Sequence, residues 1–117
     1  MAFKFEKLDV WHLSLDYTDE IYEITNNFPK SEVYGLSSQL RNAANSVVLN
    51  IAEGSTTGSD REFKRFLNIA ARSGIEVVAG LYIAKRRQYI LQEIFEDKYK
   101  KSEQLVKKIF ALRNSLK

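Results

Sequence analysis

The chain has 117 residues, 44% of them apolar and 28% charged, which is the balance of one globular domain with a core of its own. It contains no cysteine, which excludes disulfides, thiolate zinc sites and thiol nucleophiles. The net charge of +3 is unevenly spread: residues 1–84 hold 8 basic and 11 acidic side chains, a net of −3, while residues 85–117 hold 10 and 4, a net of +6.

The opening stretch, MAFKFEKLDVW, carries no apolar h-region and no cleavage site. No apolar run approaches the roughly 18 residues that span a bilayer, so the expectation is a cytoplasmic protein with no membrane association. From Leu8 to Phe28 there is no Lys or Arg, but there are Asp9, Asp16, Asp19, Glu20 and Glu23. The first helix, read at 8–28, is therefore acidic. Val10, Leu13, Tyr17, Ile21, Ile24 and Phe28 form one stripe on it, and Trp11, Leu15, Thr18 and Tyr22 a second. Together they cover about 200° of the circumference, where a surface helix needs about 100°. Pro29 ends the segment, because the residue before a proline leaves the α region.

The second helix, read at 34–53, turns Leu36, Leu40, Ala43, Ala44, Val47 and Ile51 to the core. Its other face carries Gln39, Asn42, Asn45, Ser46, Asn50 and Glu53, amides rather than the Lys/Glu mixture of a solvated helix. Hydrogen bonding across a subunit contact or along a polar channel would explain that choice. Gly54 stands where a left-handed glycine caps a helix C-terminus. Ser59-Asp60-Arg61-Glu62 then reads as a capping box opening the third helix, at 60–87. From Ile69 to Ala84 only Arg72, Ser73 and Glu76 are polar. A helix apolar nearly all round needs cover nearly all round, so self-association is expected. The next junction, Arg86 to Leu91, contains no turn former, and the last helix is read at 92–115. The fold class is all-α, an antiparallel up-and-down four-helix bundle in one domain, 1–117.

No catalytic constellation emerges. The single histidine, His12, sits among carboxylates with no E-x-x-H spacing, so no di-iron or other metal site is expected. Neither a Walker loop nor a G-x-G-x-x-G is present, so no phosphate-binding cofactor or small-molecule substrate is expected. Glu76 lies in an apolar stretch with Arg72 one turn back, and Glu53 opposes the dipole at a helix C-terminus. Both read as structural ion pairs.

Several segments resemble one family along essentially the whole chain. They are Phe5-Glu6-Lys7-Leu8-Asp9-Val10-Trp11, then Phe28-Pro29 through Tyr34-Gly35-Leu36 with Gln39-Leu40-Arg41. The most specific is Asn50-Ile51-Ala52-Glu53-Gly54, after Ala43-Ala44 and Ser46, and Phe63, Phe66-Leu67, Ile69-Ala70, Ser73 and Glu76 continue the pattern. The chain is similar to the bacterial four-helix bundle proteins encoded in 23S rRNA intervening sequences, to which the accessory protein of diversity-generating retroelements is related. The resemblance implies a bundle that assembles as a ring, typically a homopentamer, without enzymatic activity. For the retroelement relative it implies RNA binding through basic surface residues. The chain departs from the family pattern at Val48, often proline, at Gln88, often glycine, and at Arg72, often a small residue.

Two functions follow as expectations. One is a nucleic-acid-binding oligomer, with Lys85, Arg86, Arg87, Lys100, Lys101, Lys107 and Lys108 as phosphate contacts. The other is a protein-interaction scaffold. For either, Trp11, Leu15 and Tyr22 are the candidate subunit contacts. The acidic first helix and basic last third could also simply lie side by side and attract.

Overall fold

A computed structural model describes residues 2–117. It contains four helices, α1 (Asp9–Thr25), α2 (Leu36–Ser55), α3 (Asp60–Arg86) and α4 (Gln92–Ser115), with short 3-10 turns at Lys4–Lys7 and Lys30–Glu32 and no strand among the described residues. Each helix packs on its neighbour in sequence, and α4 closes back on α1, which leaves α1 diagonal to α3. The result is an up-and-down bundle 43 × 22 × 22 Å. The 27 residues of α3 span nearly all of that length, at about 1.5 Å per residue.

The first apolar stripe of α1 is buried as expected, with Tyr17 and Ile21 at the centre. Leu40, Val47 and Ile51 of α2 meet Leu67, Val77 and Leu81 of α3 and Leu105 and Ile109 of α4 in one core. The α2–α3 seam is the tightest. α2 runs unbroken through Val48, and it continues two residues beyond the expected end.

Gly54 is therefore inside α2 and not in a left-handed cap. The hydroxyls of Ser55, Thr56 and Thr57 bond the carbonyls of Ala52, Glu53 and Gly54, and so satisfy the terminal acceptors without a glycine. Gly54 is required for another reason: a Cβ there would lie 2.6 Å from Phe66 Cβ and 2.9 Å from Phe63 Cδ1 on α3. The left-handed glycine of this loop is Gly58, with φ 72°. Ser59 Oγ accepts from Glu62 N at 3.2 Å, but the Glu62 carboxylate turns to Arg65, so only half of the expected capping box forms.

The junction that shows no turn former is a Schellman turn. Tyr89 N bonds Ala84 O at 2.8 Å and Gln88 N bonds Lys85 O at 3.0 Å. Gln88 itself is left-handed, φ 64°, at the position where the family resemblance leads one to expect glycine. The same end of the bundle is clasped by Glu32. Its carboxylate accepts from Leu36 N (3.1 Å) and from the Tyr89 hydroxyl (2.8 Å), with Arg87 at 3.9 Å. The backbone bond from Leu36, the Tyr89 hydroxyl and the Arg87 charge hold the Glu32 carboxyl below the usual range.

By length and composition α3 could cross a membrane, contrary to the sequence expectation that no segment could. In the bundle it packs on α2 and α4 with one side and leaves the other exposed.

Candidate nucleic-acid and assembly surfaces

The seven basic candidates divide into two groups. Lys101 Nζ lies 2.6 Å from Glu20 Oε1 and 3.3 Å from Asp97, and Lys98 Nζ lies 2.6 Å from the same Glu20 oxygen. Arg87 pairs with Glu32, and Lys107 with Glu103 at 3.9 Å. Lys85 stacks over Phe95 (4.3 Å) and Tyr82 (5.3 Å). Lys101, Arg87, Lys107 and Lys85 thus have partners within the chain. Arg86, Lys100 and Lys108 are exposed, and none has an ion-pair partner among the described residues.

The acidic first helix and the basic last one do lie side by side, through Glu20, Asp97, Lys98 and Lys101. Partial burial pushes Glu20 up, but hydrogen bonds from Lys101 and Lys98 and their charges outweigh it, and its carboxyl ends below the usual range. Burial pushes Lys98 down, and Glu20 and Asp97 more than reverse that; Lys101 is raised mainly by its bond to Glu20. Beneath the cluster Ser102 donates to Lys98 O, so the buried Tyr17 hydroxyl donates to Ser102 Oγ at 2.5 Å. Burial raises the Tyr17 phenol well above its ordinary value.

The sequence reading missed a second basic group. Arg61, Glu62, Lys64, Arg65, Asn68 and Lys117 line an open cleft of about 600 Å³ where α3 begins and α4 ends. Arg113 Nη1 donates to Asn68 Oδ1 at 2.7 Å beside it. Arg65 lies over Phe66 and pairs with Glu62, while Arg61 and Lys64 have no ion-pair partner among the described residues. The spacing of 61, 64 and 65 places all three on one helix face. That signal was hidden by summing charge over residues 1–84.

Trp11, a candidate subunit contact, is partly buried within the chain. It packs against the core, and the N-terminal turn covers it with Phe5, ring centroids 4.6 Å apart; its indole Nε1 is buried without a hydrogen-bond partner. Leu15 and Tyr22 remain exposed. Arg41 lies 4.9 Å over the Tyr22 ring and donates to Thr25 Oγ1 (2.8 Å) and Asn26 Oδ1 (2.7 Å), tying α2 to the end of α1.

Much of the amide face serves contacts inside the chain. Asn50 donates to Ser46 O and Oγ, Ser46 Oγ meets Ser73 Oγ of α3 at 2.8 Å, and Asn45 donates to the Tyr22 hydroxyl. Gln39 is exposed on a 120 Å³ cleft with Glu76 and Ile83. Glu53 and Glu76 are corrected as ion pairs: both are exposed and neither has a cation partner among the described residues. On the outer face of α3, water solvates the Glu76 charge. A surface pair with Arg72 would gain little against the entropy of ordering both side chains. His12 Nε2 lies 2.7 Å from Glu6 O, which makes it the protonated ring nitrogen. Among the described residues no group of His, Asp and Glu is placed to hold a metal ion.

Fold and surface together define a small all-α bundle whose distinctive chemistry lies in charged and apolar outer faces rather than in an enclosed polar pocket. Residues 6–111 match the 23S rRNA-intervening sequence protein family, and the chain belongs to it. It is similar to the crystal structure of a protein of unknown function from the S23 ribosomal protein family of Bacteroides thetaiotaomicron. The two are 25% identical with a TM-score of 0.79, over 89% of this chain and 97% of that one. Among curated proteins none matches.

Proposed function

We propose that this protein is a non-catalytic, cytoplasmic homo-oligomer, a pentameric ring, that binds RNA through its basic surface. The observation that carries the RNA reading is the open cleft in which Arg61, Lys64, Arg65 and Lys117 outnumber the single carboxylate, Glu62. Lys100 and Lys108 add free charge elsewhere, and the family's name ties it to intervening sequences of 23S rRNA. The ring is supported by the exposed apolar faces, and its number by the family resemblance. A ring repeats a weak phosphate site and raises its avidity.

Filter binding of a structured RNA at two salt concentrations tests the reading. Affinity should fall steeply with salt, and Arg61→Glu with Lys64→Glu should weaken binding at least tenfold and flatten the salt slope. Absence of binding at low salt would remove the RNA role and leave a protein-interaction scaffold.

A further inference from the structure

The outward ridge of α3 is apolar in its middle and basic at both ends. Ile75, Tyr82 and Ile83 are 53%, 48% and 42% exposed there, with Ala79 exposed between them. Arg72 and Arg86 flank them, exposed and without ion-pair partners among the described residues. At about 1.5 Å per residue the two arginines stand ~21 Å apart along the helix, and Ile75 and Tyr82 ~10 Å apart between them.

The α1–α2 face also exposes apolar side chains, and the charge beside them is negative. Leu15 and Tyr22, also seven residues apart, are 37% and 38% exposed on α1, and Leu49 is 59% exposed on α2. The Asn45–Tyr22 hydrogen bond sets that stretch of α2 alongside α1, and Leu49 is one turn further on. Asp19, one turn from both Leu15 and Tyr22, is exposed beside them, and Asp16 and Glu23 are exposed further round α1; none has an ion-pair partner among the described residues.

α1 and α3 are diagonal in the bundle, so one chain cannot bring these two surfaces together. We infer that the α3 ridge of one copy docks on the α1–α2 face of the next; this rests on the self-association proposed above and assigns its surfaces. Pairing like with like would set arginine against arginine or carboxylate against carboxylate. Only ridge on face matches apolar centre to apolar centre and cation to anion. Glu76, unpaired near the ridge, then meets the amide side of the partner face, where Asn42 is exposed. The contact is heterologous: every copy added leaves one ridge and one face open until a ring closes.

Two double variants test the assignment. Ile75→Glu with Ile83→Glu disables the ridge, and Leu15→Glu with Leu49→Glu disables the face. All four side chains are exposed, so helix content by circular dichroism should be unchanged. In sedimentation equilibrium at micromolar concentration each double variant alone should run as the 13.5 kDa chain. Their equimolar mixture should reach twice that mass and no more, because one intact ridge meets one intact face and both remaining surfaces are disabled. A mixture that stays at the single-chain mass, or a double variant that keeps the unmutated assembly mass, would overturn the pairing. Unmutated protein at the single-chain mass would instead remove the self-association on which it rests.

Discussion

The two seams that join the first half of the bundle to the second are built on different physics. α2 and α3 approach closely over Ala43, Ala44, Gly54 and Gly80, with a neutral Asn50–Ser46–Ser73 chain as the polar element. α1 and α4 meet more loosely, across the Tyr17–Ser102 bond and the four-charge cluster around Glu20. One seam depends on shape and is indifferent to proton and salt concentration. The other depends on charge, so pH and ionic strength should open the bundle from one side only.

The largest effect should come from filling the tight seam. Gly54→Val is expected to cost about 2–3 kcal/mol, because the new methyl groups meet Phe63 and Phe66 within a packed interface. Urea unfolding decides it, and a change under 0.5 kcal/mol would mean that α2 and α3 do not approach so closely. In the charged seam, the coupling between Glu20→Gln and Lys98→Met in a double-mutant cycle should be about 1 kcal/mol, shrinking in 1 M salt. A coupling indistinguishable from zero at low salt would reduce the cluster to a surface ornament.

The pH dependence sharpens the contrast. Glu20, Asp97 and Glu32 have folded pKa values below their ordinary ones, so they stabilise the fold at neutral pH. That contribution is lost as pH falls through the folded values, below the usual carboxylate range. Lys98 and Lys101 are raised, so their contribution is complete below the ordinary lysine value and is lost as pH rises through the higher folded one. Native-state hydrogen exchange, corrected for intrinsic rates, should show α1 and α4 losing protection at both extremes before the α2–α3 seam does. Uniform loss across all four helices would contradict the separation of the seams.

The smallest effect lies outside both. Gln88→Gly removes the Cβ penalty of a left-handed residue against the added freedom of glycine in the unfolded chain, a net gain of about 0.5–1 kcal/mol. A loss of thermal stability would show that the Gln88 side chain contributes something the backbone geometry does not reveal.

The periodic features were legible in the sequence. The stripe of Tyr17, Ile21 and Ile24 gave α1 its buried side, and α4 has the predicted bounds, because helical spacing reports the core directly. What escaped was set by partners distant in sequence. Lys101 looked free because Glu20 lies 81 residues away. Trp11 looked uncovered because nothing local shows that Phe5 folds back over it. Gly54 invited the usual cap reading, while three consecutive hydroxyl residues did the capping and the glycine served a neighbouring helix. The Arg61, Lys64 and Arg65 face was readable from spacing, and was lost by averaging charge over two-thirds of the chain.

Glu32 also changes what the short loop between α2 and α3 has to do. The carboxylate joins the α1–α2 connection to Tyr89 and Arg87 at the far end of the bundle, while residues 56–59 are exposed and Gly58 faces open space. The helical hairpins 9–55 and 60–115 are therefore held to each other by two seams and a distal clasp, none of which passes through the loop. Severed between Thr57 and Gly58, they would keep almost every bond that unites them. The covalent link acts chiefly to keep their mutual concentration high, and this loop is where the chain would best accept new termini or an inserted domain.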